Sequence, residues 1–207
     1  MHLRKSIITG AVVVAFALLP ATAANASTGS SDPAPNSTRV TTPMVVHGYD
    51  AQVAAANGYK IVTNADGAQE SIPVTAAAVA QSKQADQRRA GVQAQSAATP
   101  AVVGNCGSSW VSGVKQAHDT VAFSTGFLVY LAATHYTWTV YATGAITGNH
   151  WSSTGGGPAS GTRSWTGAIP SVIGPGIGGV PFACGSASVV LVDGTVCYSV
   201  GPTFLFN

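Results

Sequence analysis

The sequence predicts an all-β protein: a small antiparallel β-sandwich or barrel over residues 101–207, preceded by a small helix-hairpin unit and a helical or flexible connector. Three observations lead there. First, Val121, Phe123, Thr125, Phe127, Val129 and Leu131 recur at every second residue, and Tyr136, Trp138, Val140 and Ala142 alternate with His135, Thr137, Thr139 and Tyr141. Period-two alternation of this length marks half-buried antiparallel strands. Second, Asp193-Gly194 separates two apolar runs, Ala187–Val192 and Thr195–Val200, as a hairpin turn does. Third, residues 101–207 carry only four formal charges, Lys115, Asp119, Arg163 and Asp193, yet hold all four tryptophans and 18 of the 24 glycines. Soluble domains average about a quarter charged residues, so this one must be solvated by Ser, Thr, Asn and backbone.

In chain order, residues 1–26 read as a signal peptide. Arg4 and Lys5 precede the 13-residue apolar stretch Ile7–Leu19, and Ala24-Asn25-Ala26 offers a cleavage site before Ser27. A spanning helix needs about 20 apolar residues, so no stable membrane insertion is expected. Residues 27–42, rich in Ser, Thr, Pro and Asn, are predicted to form a disordered tether. In the 43–75 unit, Asp50 is placed to cap a helix over Ala51–Ala56 that Asn57-Gly58 ends. Tyr59–Thr63 and Gln69–Val74 then flank Asn64-Ala65-Asp66-Gly67 as a hairpin. A two-residue turn on Asp66-Gly67 pairs Ile61 with Ile72 and Tyr59 with Val74. So small a unit without cysteine needs a surface to dock on. Residues 76–100 form an Ala/Gln-rich connector, helical to about Ala90. Arg163–Ile169 is a weaker strand, and Ser153-Thr154-Gly155-Gly156-Gly157-Pro158 reads as a flexible loop.

Three cysteines in an exported chain predict at least one disulfide. In the Asp193-Gly194 hairpin Cys197 lies opposite Val190, which puts Cys184 about 20 Å away along the strand. A bridge requires Cα atoms within about 7 Å, so Cys184–Cys197 would need a sharp bend near Gly185. Cys106 starts the domain, and joining it to Cys197 would pin the first strand to the last; Cys106–Cys197 is favoured and Cys106–Cys184 comes next.

The signal peptide, the segment Val46-His47-Gly48-Tyr49-Asp50-Ala51-Gln52-Val53-Ala54-Ala55-Ala56-Asn57-Gly58-Tyr59, the run Asn105-Cys106-Gly107-Ser108-Ser109-Trp110 and the closing Cys197-Tyr198-Ser199-Val200-Gly201-Pro202 resemble secreted actinobacterial proteins of unknown function. The resemblance implies export and a β-rich C-terminal domain. It brings no activity and no functional residues.

The residues available for chemistry are few. Glycoside hydrolysis commonly uses two carboxyl groups, but residues 101–207 supply only Asp119 and the turn residue Asp193. A serine triad would need His118, His135 or His150 beside an acid and a serine; His118 and Asp119 are adjacent, and no Gly-x-Ser-x-Gly elbow occurs. The histidine spacings match no metal-ligand motif, and no glycine-rich segment carries the Gly-Lys-Ser/Thr of a phosphate loop. No catalytic residue, cofactor or metal is therefore assigned. Without Arg4 and Lys5, seven basic residues balance seven acidic ones. That leaves no basic field for nucleic acid.

Trp151 stands apart, as a tryptophan expected in a loop. In Asn149-His150-Trp151-Ser152-Ser153 it lacks the apolar alternation that marks a core position, and Asn149 and His150 offer hydrogen bonds beside it. An exposed indole so flanked suits stacking on a sugar ring. The leading expectation is a secreted, extracellular, non-enzymatic binding protein whose partner is polysaccharide or cell envelope, with Trp151, His150 and Asn149 as the ligand site. Two alternatives stand beside it. One is a self-associating surface protein, favoured by zero net charge and Thr/Ser-rich strands. The other is a secreted inhibitor or toxin with residues 43–91 as a pro-region, released near Arg88-Arg89.

Overall fold

The computed structural model describes residues 38–96, 104–156, 161–182 and 185–207. The expected signal peptide, most of the tether and Cys184 lie outside them. Twelve strands and two helices follow in the order β1 (Val40–Tyr49), α1 (Ala51–Ala56), β2 (Tyr59–Thr63), β3 (Gln69–Pro73), α2 (Ala76–Ser96), β4 (Gly107–Gln116), β5 (Thr120–Val129), β6 (Ala133–Gly144), β7 (Gly148–Gly156), β8 (Thr162–Ile169), β9 (Gly176–Gly179), β10 (Ala187–Leu191), β11 (Thr195–Ser199) and β12 (Thr203–Phe206). The fold is an all-β sandwich with a small arm, α1 to α2, attached.

All but β2 and β3 belong to one sheet with the path β12-β9-β6-β10-β11-β1-β4-β5-β8, every pair antiparallel. The 12-residue β6 turns the corner. Its first half pairs with β10, its second half with β9, and its other edge with β7. The sheet thus folds over itself, and β7, β6, β9 and β12 face β4, β5 and β8. Trp138 on β6 lies 5.3 Å from Phe127 on β5 and 5.9 Å from Trp165 on β8, ring centre to ring centre. At Gly113 on β4 a Cβ would run into the ring of Phe204 on β12, so glycine is what lets the layers close there.

The alternation over β5 and β6 is realised as written. Val121, Phe123, Thr125, Phe127 and Val129 are buried, as are Tyr136, Trp138, Val140 and Ala142. Hydroxyls satisfy several of the polar groups that share this core. Trp138 Nε1 donates to Thr125 Oγ1 (3.1 Å), which donates to the Trp110 carbonyl (2.8 Å), and the hydroxyls of Ser109 and Ser199 meet at 2.8 Å. Neutral hydroxyls are far cheaper to bury than charges, which accounts for a Ser/Thr-rich, charge-poor sequence.

Three sequence expectations change. The boundary drawn at residues 42/43 falls inside β1, which is no part of a separate unit. It is an interior strand, with Met44 opposite Ser199 of β11 on one side and Gly107 of β4 on the other. Pro43 and the register break between Val46 and Gly48 hide it from a pattern search. Residues 43–49 are accordingly built into the sheet, and a pro-region spanning 43–91 would take an interior strand with it. Both hairpins also slip by one residue from the two-residue turn. Tyr59 faces Pro73 and Ile61 faces Ser71; Cys197 faces Val189. In each, Gly at the fourth turn position takes a positive φ, +83° at Gly67 and +82° at Gly194, while the preceding Asp accepts from the backbone N–H two residues on. A three-residue turn closed by a left-handed glycine results. Ile72 and Val74, expected on the apolar face, are exposed.

The helix-hairpin unit docks as its size demands. Asp50 caps α1, accepting from the Gln52 and Val53 N–H groups. The Asp50 N–H donates to the Gly194 carbonyl (2.7 Å), and Ser71 Oγ donates to the Asp193 carbonyl (2.6 Å). Helix α2 runs through Gly91 to Ser96. It buries Ala78 against Tyr59, and Arg88 Nη1 donates to the Tyr130 carbonyl at 3.0 Å. The Arg88-Arg89 pair is thus engaged by the sheet.

Cys106 and Cys197 are joined, with Cα atoms 5.9 Å apart. The bridge reaches over β1, linking the entry of β4 to β11. The pairing agrees with the favoured expectation, although the hairpin register used to reach it was one residue out.

Candidate functional site

Trp151 lies on a strand, where a loop was expected. Strand β7 is Ser-, Thr- and Gly-rich with no apolar alternation, so it carries no pattern of its own. It forms because β6 offers a free edge, and it pairs from Gly144↔Gly148 to Tyr136↔Gly156. In that register Trp151 stands opposite Tyr141, Asn149 opposite Thr143 and His150 opposite Ala142. Partners across an antiparallel pair share a face, so the three expected ligand residues divide. Trp151 and Asn149 point to solvent. His150, opposite the fully buried Ala142, points to the other side, and its Nε2 is buried without a hydrogen-bond partner. A site made of all three side chains is therefore corrected to Trp151 and Asn149.

What they join is an open sheet face. Trp151 is 59% exposed, and its ring centre lies 5.5 Å from that of Tyr141, at an interplanar angle of 42°. Thr143 Oγ1 donates to Asn149 Oδ1. The registers extend both pairs across the layer. One row runs Trp151, Tyr141, Gly179, Thr203, and the next Asn149, Thr143, Ile177, Leu205. Leu205 is 79% exposed, because its neighbours Phe204 and Phe206 take the core side. Sequence reasoning missed Tyr141, Thr143, Ile177 and Leu205. The strict alternation of β6 does assign Tyr141 and Thr143 to the face opposite Trp138, but pairing with β7, β9 and β12 is a matter of topology.

A second concavity of about 380 Å³ lies in the seam between arm and sheet. Glu70, Asp86, Arg89, Tyr49, Tyr130 and Asp193 line it. Its chemistry is mostly committed. Arg89 Nη1 is 3.6 Å from Asp86 Oδ1, and the guanidinium lies over the Tyr130 ring. The Asp193 carboxylate accepts from the N–H and hydroxyl of Thr195. Burial pushes the Asp193 carboxyl above its ordinary range, a rise the Thr195 hydrogen bonds oppose. Burial also raises the Tyr49 phenol, reinforced by the nearby charges of Asp193 and Glu70. Of these contacts, that of Arg89 with Tyr130 joins the arm to the sheet.

The remaining candidates are scattered. His118 and Asp119 form the β4–β5 turn, both at positive φ; His135 is on β6 and His150 on β7. Among the described residues no group of three His, Cys, Asp or Glu is placed to hold a metal ion, and no helix is long and apolar enough to cross a membrane. No protein-family model, curated protein or solved structure matches the chain. The functional argument therefore rests on the geometry of the sheet face.

Proposed function

We propose that the protein is a secreted, non-catalytic binding protein that holds polysaccharide, free or in a cell envelope, on the outer face of β7, β6, β9 and β12. One observation carries the reading: Trp151 is 59% exposed, its ring tilted against that of Tyr141, on an open sheet face. Two adjacent aromatic rings in water lose little by receiving the apolar face of a sugar, and Asn149 and Thr143 supply directional hydrogen bonds at its rim. The Cys106–Cys197 bridge fits an oxidising compartment, and the Arg4-Lys5 and Ile7–Leu19 pattern fits export.

The test is a pull-down on insoluble chitin, cellulose and peptidoglycan. Wild type should be retained on at least one of them, and Trp151→Ala should pass through. The melting curve of the variant should stay within about 1 kcal/mol of wild type, as for a surface change. A loss of the roughly 3–5 kcal/mol typical of a core aromatic, or undiminished retention, would overturn the proposal. Mass analysis of the culture supernatant checks export; a mature protein that keeps Ile7–Leu19 contradicts it.

A further inference from the structure

Resting on that reading, we infer that the ligand is an electrically neutral glycan whose chain crosses the strands from Trp151 on β7 to Leu205 on β12. The first support is charge. Strands β6, β7, β9 and β12, residues 133–144, 148–156, 176–179 and 203–206, contain no Lys, Arg, Asp or Glu. Most cations of the described chain are placed elsewhere: Arg39 lies over Trp110, Arg163 is on β8, and Lys60, Lys83, Arg88 and Arg89 belong to the arm. Lys115 approaches the β12 end, where it lines a hollow with Leu205 and Phe206, but its ammonium is paired with Asp119 at 3.6 Å. A polymer carrying phosphates or uronates would meet no unpaired counter-charge along this face, and ordering it there would cost part of its hydration. A neutral chain loses nothing by that.

The second support is the course of the two rows. Neighbouring strands stand about 4.8 Å apart, so the distance from β7 to β12 is about 14 Å, room for a short run of sugar rings. Between Tyr141 and Thr203 the first row passes over the buried Gly179, where the Pro202 carbonyl and the Thr203 side chain occupy the space a Cβ would take. Thr203 thus leans back toward Tyr141, and Ile177 and Leu205 form an exposed apolar strip beside it. A chain stacked on Trp151 and Tyr141 and continued across the sheet would follow this strip.

Affinity electrophoresis of the full chain through gels of soluble polymers tests both parts. Hydroxyethyl cellulose, glycol chitin and starch serve as neutral polymers, and alginate and polygalacturonate as anionic ones. Retardation is expected in at least one neutral gel and in neither anionic gel. It should vary less than about two-fold with added salt, since no unpaired charge is there to screen. Trp151→Ala should abolish it, and Leu205→Ser should weaken it about five- to ten-fold, the effect of uncovering one apolar contact. Both sites are exposed, and melting curves check that each variant folds. Trp151-dependent retardation in the anionic gels alone, or a steep salt dependence, overturns the neutral ligand and leaves polysaccharide binding standing. An unaffected Leu205→Ser confines the ligand to β6 and β7 and overturns the crossing. Concentration-dependent dimers that Trp151→Ala disperses make the face an interface between copies, which overturns this inference and the proposed function together.

Discussion

Asp193 shows how one residue serves several levels of this structure. Its carboxylate fixes the β10–β11 turn through Thr195, its carbonyl accepts from Ser71, and the following glycine accepts from Asp50. Turn chemistry explains why Asp stands there, and docking of the arm explains why it is buried. Burial holds its pKa above the ordinary 3.8. The folded protein therefore binds this proton more tightly than the unfolded chain. The stability contributed is full below the unfolded pKa and is lost as pH rises through the folded one. Asp193→Asn keeps an acceptor and a donor for Thr195 but cannot titrate. The stability of wild type relative to the variant should fall as pH is raised upward from about 3.8, measured by denaturant melts at a series of pH values. Parallel curves would dismiss the argument. The disulfide gives a second prediction at this scale. Cys106→Ser or Cys197→Ser should cost about 2–5 kcal/mol in the same assay.

At the scale of elements, the two hairpins supply a matched experiment. Gly67 and Gly194 have nearly the same positive φ, and each follows an Asp that caps its turn. Alanine at either must adopt the left-handed conformation, at about 1–2 kcal/mol. At Gly67 the new Cβ meets nothing within 4 Å. At Gly194 it would run into the Asp50 carbonyl and sit 2.8 Å from the Ala54 Cβ. Gly194→Ala should therefore cost clearly more than Gly67→Ala and should release α1, seen as lost amide-exchange protection over Ala51–Ala56. Equal effects would mean that the arm is not held at this turn. The same glycines mark where sequence reading slips. Asp-Gly announces a hairpin in both places, but turns with two and with three residues share that signal, and the difference moves every pairing by one. Strands β5 and β6 were legible because each has one wet face and one dry face. Strand β4 was not, since Gly107–Ser112 are buried on both sides and lose the alternation. Strand β7 was not either: its apolar content is one exposed tryptophan, and its pairing energy comes from the backbone.

For the whole molecule, what sequence could not convey is that the chain begins its sheet in the middle. An N-terminal segment that reads as a tether and a small unit contributes β1, the strand between β11 and β4, and only then departs into the arm. Nothing local announces a strand whose partners lie about 60 and 150 residues away. The Trp151 site was half legible for the same reason. The exposed indole could be read from its neighbours, but the face around it is assembled from β6, β9 and β12. This architecture separates the arm from the strand that leads into it. Three of the buried residues of the arm, Ala54, Tyr59 and Ala78, form a small cluster with Ile61 and Val192, whereas Met44 of β1 belongs to the main core. A chain lacking 51–103, with a short Gly/Ser linker from Asp50 to Gly104, should keep a cooperative melt and the proposed polymer binding. Asp193, now uncovered, should also lose its pH signature. A chain starting at residue 101 lacks β1, leaves the facing edges of β4 and β11 unpaired and opens a cavity at Met44. Loss of a buried Met-sized side chain alone costs about 2–5 kcal/mol, a large share of the 5–15 kcal/mol that stabilises a typical domain. That chain should aggregate or show no cooperative transition. A soluble, cooperatively melting 101–207 fragment would instead make β1 dispensable, and would restore the reading in which the first ninety residues are removed in maturation.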